Sequence, residues 1–337
     1  MSRTPAHAER RRRALAPSRL WIAFTLALAL LAPVIANSRP IVLDRLDASG
    51  RVISREYPLA ASLLGEALTP LDFAEREERN EVRATFTLVP FSPNERAGDR
   101  KASFLPPGAA ASAGRTHLLG TDRHGQDVLS NLIHGSRLAI SVGLIAAGLA
   151  TLIGIVLGAF MGYFGGWVDT ILSRLVEVVM GVPLLFVLVL AAGVMPRSIE
   201  ATMALIACFT WTTAARFTRA EFMRLRNADY VLAARAAGIP MRSLLFRHML
   251  RNAAAPVLID ASFTMATAVV LEATLSYLGL GPPDRASWGA LLASATSDAG
   301  EFRWWLAAFP GAAIFLTALS YNIMGESARD ELDPRAA

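Results

Sequence analysis

Residues 229–252 read DYVLAARAAGIPMRSLLFRHMLRN and stand between two long apolar stretches of the chain. The alanine-rich first half favours a short helix. Gly238 can adopt the left-handed conformation that ends a helix, and Pro240 is placed to start the next helix at its first turn. The segment therefore predicts a helix, a break and a second helix on a polar loop.

The whole chain is too apolar for an ordinary soluble domain. Of its 337 residues, 53% are hydrophobic and 18% are charged, and the mean hydropathy is +0.40. A lipid bilayer accommodates such a composition. The net charge of +5 comes from arginines that cluster beside apolar segments, without a basic face interleaved with aromatic residues. We therefore expect an integral membrane protein without a nucleic-acid partner.

Six apolar segments predict an all-α membrane protein with about six spanning helices. They cover residues 20–36, 138–160, 175–194, 199–217, 256–278 and 304–324. The first segment could instead be a cleaved signal peptide, because a basic start, an apolar run and small residues near Ala36 fit that pattern. Its length and the spans that follow favour a membrane anchor.

These spans divide the chain into five parts. They are a cytoplasmic N-terminal tail (1–19), the first span (20–36), a polar external insertion with the segment that leads into the second span (37–135), a five-helix transmembrane domain (136–326) with a loop at 218–255, and a cytoplasmic tail (327–337). The charge run Glu75 to Glu81 in the insertion is expected to be a solvated helix face. Arginines concentrate in the 218–255 loop, which places that loop and both termini in the cytoplasm.

The 218–255 loop has a physical use in such a protein. A short helix with small side chains can enter a groove of another protein, because that protein can approach its backbone closely. Through this contact the other protein would push on the spans. The alternative is an interfacial helix that lies on lipid, to which its arginines would also be suited. The residues alone leave both interpretations open.

The sequence contains no motif for binding a metal ion or a nucleotide. Lys101 is the only lysine and follows no G-x-x-x-x-G loop, so an ATP site would have to lie on another chain. Cys208 is the only cysteine, and the five histidines form no ligand-like pair. We expect no cofactor and no metal site in this chain.

Polar and small residues inside the spans are further candidates. Glu272 lies in the fifth span, where an ionisable group costs about 3 kcal/mol, so it should either line a polar path through the membrane or bond a neighbouring helix. Gly154, Gly158 and Gly162 repeat every four residues and predict close helix packing, within the chain or with a partner subunit. Arg174 and Glu177 stand three residues apart and predict a local ion pair.

The loop resembles a family motif. Ala233-Ala234-x-x-x-Gly238, with nine residues before His248-Met249-Leu250, is similar to the E-A-A-x-x-x-G loop of binding-protein-dependent ABC permeases, which docks into the ATPase. Leu232 stands where the motif has glutamate, and Arg251 stands where proline is usual. The resemblance assigns ATPase coupling to a set of six residues. They are Tyr230, Ala233, Ala234, Gly238, Arg247 and His248.

Other segments extend the resemblance over most of the chain from His117 to Pro334, and to the first span. Residues 117–129 read HLLGTDRHGQDVL and are similar to the family's H-x-L-G-T-D-x-x-G-R-D-V-L segment, with Gln126 in place of arginine. Residues 163–169, 275–281, 287–289 and 325–334 also match the C-type subunits of oligopeptide and dipeptide permeases. The long insertion is similar to the branch that includes microcin-type peptide importers.

The resemblance implies a type I ABC importer permease in the inner membrane. It implies that the chain forms half of a peptide pore and is not itself an enzyme. Its partners would be a homologous second permease, two ABC ATPases that hold ATP and Mg, an external solute-binding protein and membrane lipids.

Other functions remain open from the sequence. An ion-gradient-driven secondary transporter could use Glu272 and Asp260 as proton sites, but its usual internal repeats and broken helices are not evident. A membrane scaffold or receptor, or a related permease for nickel complexes, sugars or another small solute, are further alternatives.

Overall fold

The computed structural model describes residues 5–47, 51–63, 82–93, 103–111, 115–296 and 301–331, with side chains from residue 16 to residue 329. The predicted charge run Glu75 to Glu81 and the last part of the predicted tail, 332–337, lie outside these ranges.

Helices make up most of the described chain. They are α1 (Pro5–Ile35), α2 (Pro58–Leu63), α3 (Val128–Phe164), α4 (Gly166–Gly181), α5 (Leu184–Val194), α6 (Ile199–Leu225), α7 (Asp229–Ala236), α8 (Met241–Ser243), a π-helical turn (Leu244–Met249), α9 (Leu250–Tyr277), α10 (Trp288–Ala293) and α11 (Trp304–Glu331). The predicted division into tails and spans stays a prediction; α1 begins within the predicted N-terminal tail and α11 continues into the predicted C-terminal tail.

Four helical segments of the described chain are long and apolar enough to cross a membrane. They are Ala16–Ile35, Val128–Phe164, Met241–Tyr277 and Trp304–Arg329. The bent pair α4 and α5 makes a fifth if it forms one crossing. The predicted number of six also needs α6, which is 27 residues long but carries several threonines that lower its apolarity. The number that length and composition support is therefore four or five, and a crossing by α6 stays a prediction.

The predicted third span is not one continuous helix. It is broken between α4 and α5, whose axes differ in direction by 84°. Pro183 stands at the break; it has no backbone N–H to donate, and it disfavours the helical conformation of Val182 before it. The interpretation of 175–194 as a single straight span is wrong for this reason.

The long helices pack around α3. α6 lies along α3, α9 and α11 contact each other and α3, and α1 lies against α3 and α11. The indole Nε1 of Trp21 in α1 donates to Thr317 Oγ1 in α11 at 3.0 Å. The N-terminus of α3 is capped by Asp127, whose Oδ1 accepts from the backbone N–H of Ser130 at 2.7 Å. This helical bundle agrees with the predicted all-α membrane part.

The insertion after α1, which is predicted to be external, contains a small antiparallel sheet that the all-α prediction did not include. Strands β1 (Val42–Leu46), β2 (Val52–Glu56) and β3 (Val82–Thr85) lie in the order β2-β1-β3. Arg55 donates to both carboxylate oxygens of Asp44 across β1 and β2, at 2.6 and 3.0 Å. These hydrogen bonds lower the pKa of the Asp44 carboxyl. A second ribbon pairs β4 (Ala109–Ala110) with β5 (Thr116–His117).

Candidate functional site

The segment 229–252 folds as helix, break, helix. α7 ends in a Schellman motif, in which the Ile239 N–H donates to the Ala234 carbonyl at 3.1 Å and the Gly238 N–H donates to the Arg235 carbonyl at 3.0 Å. Gly238 has a φ of +71°, the left-handed conformation that this motif requires. Pro240 precedes the first helical residue of α8 as its N-cap, one position earlier than its expected place in the first turn.

Buried apolar side chains fix this segment to the ends of two long helices. Val231, Leu244, Leu245 and Met249 are 0–1% exposed and pack in one cluster. We call this the anchor cluster; its buried members are Ala159, Phe222, Leu225, Val231, Leu244, Leu245, Met249 and Ala253. Because α3 and α6 contribute to it, a displacement of the segment would be transmitted to these two helices.

The opposite face of the segment is open. Ala233 and Gly238 are exposed, and a Cβ added at Gly238 would find no atom within 4 Å. Tyr230 and Leu232 are 40% and 47% exposed. Exposed apolar side chains on a protein surface are typical of a site that binds another protein or a membrane. We call this the docking face; its members are Tyr230, Leu232, Ala233, Gly238 and Met241, with exposed arginines at 235, 242 and 247.

The last two predicted coupling residues lie in the π-helical turn. Arg247 is exposed and His248 is partly buried. The backbone carbonyl of His248 accepts from Asn252 Nδ2 at 3.2 Å. The turn continues directly into α9, so a displacement of the segment would be passed to a membrane-spanning helix. Single π-helical turns are frequent at functional sites.

The three glycines of the repeat face α6 within the same chain. A Cβ at Gly154 would lie 2.5 Å from Ala214 Cβ, and one at Gly162 would lie 2.5 Å from the Arg219 carbonyl oxygen. At Gly158 it would collide with the carbonyl oxygen of Ala215. The glycines therefore let the backbones of α3 and α6 approach closely.

An ion pair joins α4 to α6 near these glycines. The guanidinium of Arg219 donates from Nε and Nη2 to the two oxygens of Asp169, at 2.5 and 2.7 Å. Such a bidentate pair fixes both distance and orientation. Sequence reasoning missed this contact, because the two residues are separated by 50 positions.

Glu272 is enclosed by its own chain. It is 2% exposed, and its Oε1 accepts from Ser276 Oγ at 2.7 Å and from Ser287 Oγ at 2.9 Å. Ser287 is the N-cap of α10, so the carboxyl group joins α9 to α10. This geometry favours the bonding role over the pore-facing role, which stays a prediction. Asp260 is also buried, and its Oδ2 has no hydrogen-bond partner among the described residues.

We expect Glu272→Ala to destabilise the protein by about 1–3 kcal/mol for each buried hydroxyl group left unsatisfied. Glu272→Gln keeps a carbonyl acceptor and should cost less. The melting temperature of the detergent-solubilised protein measures this loss, with Glu177→Ala as the exposed control. An unchanged melting temperature together with selective loss of cationic cargo would instead support the pore-facing role.

A polar pocket of about 490 Å³ lies at the end of the bundle opposite the anchor cluster. It is lined by Asp122 and Arg123 from the segment before α3, by Arg197, and by Arg285 after α9. Asp122 Oδ1 accepts from the backbone N–H groups of His124 and Gln126, at 2.8 and 2.9 Å. Burial raises the pKa of the Asp122 carboxyl, although these hydrogen bonds oppose the shift.

The comparisons with known proteins agree with this geometry. Residues 154–337, more than half of the chain, match the family described as "Binding-protein-dependent transport system inner membrane component". The chain belongs to this family. Related permeases include a Brucella suis protein named as a peptide permease, 39% identical over 224 residues that make up 65% of this chain and 74% of that protein.

A second relative of this permease is the "Probable D,D-dipeptide transport system permease protein DdpC" of Escherichia coli. It is 37% identical over 251 residues, which are 74% of this chain and 81% of that protein. A solved structure of the MetNI methionine ABC transporter in inward-facing conformations aligns with a TM-score of 0.49 and 15% identity, over 61% of this chain and 97% of that chain.

Membership in the family confirms several predictions. The chain is a multi-pass membrane protein with the type I permease fold, and it is a permease subunit of a binding-protein-dependent ABC importer. Such a subunit is a transport component and not an enzyme.

Proposed function

We propose that this permease forms half of the pore of an ATP-driven peptide importer and is driven through its docking face. The observation that carries the proposal is that residues 229–252 have one exposed side and one side packed against the helical bundle. Small and apolar side chains are open on one side, and the anchor cluster fixes the other side to α3 and α6. Peptide cargo is supported by the names of the relatives at 37–39% identity.

The proposed assembly has four kinds of partner. Two ABC ATPases hold ATP and Mg, and one of them binds the docking face of this chain. A homologous permease supplies the other half of the pore and binds the second ATPase. A solute-binding protein delivers cargo at the opposite end of the bundle, and lipids of the inner membrane surround the spans. In this assembly the N- and C-termini and the docking face are cytoplasmic.

Coupling would use the six predicted residues in two ways. Tyr230, Ala233 and Gly238 contact the ATPase from the docking face. Ala234 packs towards the anchor cluster, and Arg247 and His248 lie where the segment continues into α9. The glycine repeat keeps α3 and α6 together, so that both follow the segment.

Reconstitution tests this function against ion-driven transport. The chain is purified with its partner permease, ATPases and binding protein, placed in liposomes, and given a defined mixture of dipeptides, whose accumulation is measured by mass spectrometry. We expect accumulation that requires ATP, stops with vanadate and persists when a protonophore removes the proton gradient.

Two results would contradict the proposal. Uptake that collapses with the protonophore, or uptake by the purified chain without ATPases, would show secondary transport. ATP-dependent accumulation of other solutes without any peptide would refute the peptide cargo.

A further inference from the structure

The break between α4 and α5 exposes main chain. Gly181, Val182 and Pro183 are all exposed, and we call residues 181–183 the elbow. A helix end leaves its last carbonyl groups without intrahelical partners, and the following helix start leaves its first N–H groups free. The Pro183 carbonyl accepts from the N–H groups of Phe186 and Val187, at 3.0 and 3.4 Å. The Val182 N–H and the carbonyl groups of Gly181 and Val182 have no hydrogen-bond partner among the described residues, so the elbow presents one open donor and two open acceptors.

The elbow lies beside the middle of α6, and not at an end of the bundle. On one side of the break, Val176 packs in a cluster with Trp211 and Ala215. On the other side, Leu188 packs with Leu205 and Leu275. Since α6 runs from residue 199 to residue 225, the elbow falls at the depth of its central turns.

Exposed backbone in the middle of a membrane crossing, which α6 is predicted to be, is not compatible with lipid. Each unsatisfied backbone group in hydrocarbon costs several kcal/mol, so irregular main chain occurs at membrane depth only where protein covers it or where it lines a water-filled cavity. The protein part that the structure describes leaves the elbow uncovered. Water, or a partner, must therefore be in contact with it.

Charged side chains on the same side favour water. Arg174 Nη1 and Glu177 Oε2 form an ion pair at 2.6 Å, with side chains 75% and 59% exposed. Arg216 of α6 is also exposed, and its Nη1 lies 3.7 Å from the Met180 sulfur, one residue before the elbow. Exposed charges in a membrane protein face a cavity or the bundle interior because lipid contact is expensive.

We propose that the elbow lines the aqueous translocation path, and that its open backbone groups, with the guanidinium of Arg216, contact the peptide that passes. Backbone donors and acceptors match the amide groups of any peptide, whatever its side chains. A guanidinium binds the carboxylate that peptides carry at one end. This inference rests on the proposed function, because it takes peptide as the cargo.

Thiol labelling in the complete transporter tests the proposal. In a Cys208→Ser background, Val182→Cys is compared with Leu319→Cys on α11, since the two native side chains have similar exposure of 46% and 40%. The probe is a membrane-impermeant, positively charged methanethiosulfonate. We expect Val182→Cys to react at least about tenfold faster, because water reaches only the elbow.

The outcomes separate this inference from the proposed function. If both cysteines react equally slowly while ATP-driven peptide uptake is normal, the elbow faces lipid or a partner surface and the inference is wrong. If labelling at Val182→Cys is fast and a dipeptide mixture with binding protein and ATP slows it, the elbow contacts cargo. Fast labelling that no dipeptide slows would show that water reaches the elbow but that the peptide does not contact it, which would contradict cargo contact.

Discussion

Replacement of Gly238 by leucine is expected to weaken ATPase binding strongly and leave the membrane part folded. A leucine at φ +71° carries a strain of about 1–2 kcal/mol, and its side chain would project from the docking face into the space that the ATPase needs. A central interface position is worth 2 kcal/mol or more, so we expect affinity to fall by roughly thirtyfold or more. Pulldown of the ATPases in mild detergent measures it.

Two control variants separate strain from steric blocking. Gly238→Asn tolerates the left-handed conformation and should retain more ATPase binding than Gly238→Leu. Gly279→Leu introduces the same strain at φ +75°, also with no atom within 4 Å of the added Cβ, but at the other end of α9. ATPase binding that survives Gly238→Leu, or falls equally with Gly279→Leu, would contradict the docking role.

Replacement of Gly158 by leucine is expected to prevent accumulation of folded protein. Its Cβ would overlap the carbonyl oxygen of Ala215 and lie 2.7 Å from Thr218 Cβ, so α3 and α6 must separate. Overpacking a core typically costs 1–3 kcal/mol, and we expect a cost of about 3 kcal/mol or more because backbone cannot move aside as a side chain can. Size-exclusion chromatography of a fluorescent fusion gives the folded fraction.

Gly148→Leu is the matched control for this substitution. Gly148 lies on the same helix, but its added Cβ would meet no atom within 4 Å. We expect normal yield and a melting temperature close to that of the unchanged protein. Equal losses at both positions would mean that leucine itself, and not the contact with α6, disturbs the protein.

Local signals in the sequence were sufficient for some elements. Gly238 and Pro240 predict the break between α7 and α8 because backbone conformation at these residues depends on the residue itself. The long apolar runs predict α3 and α9, because a helix that crosses a membrane needs about 20 mostly apolar residues in a row. The docking face could be predicted from the break at Gly238 and Pro240 together with the alanines of α7.

Other features depend on distant parts of the chain or on competing signals. The elbow was missed because an apolar run was given more weight than Pro183, which was the available signal. Six spans were predicted where four or five are supported, because the threonines of α6 were counted as part of an apolar run. The donor Ser287 lies 15 residues from Glu272 on another element, so only the folded chain shows that the carboxyl group is enclosed.

The bidentate contact between Asp169 and Arg219 has a consequence for how the transporter would move. It obliges the first turn of α4 to travel with α6, to which the anchor cluster already ties the segment 229–252. α5 contacts α6 as well, because Leu188 packs against Leu205. α4 and α5 would therefore both travel with α6, and the 84° bend at Pro183 would be carried through each cycle as a fixed shape.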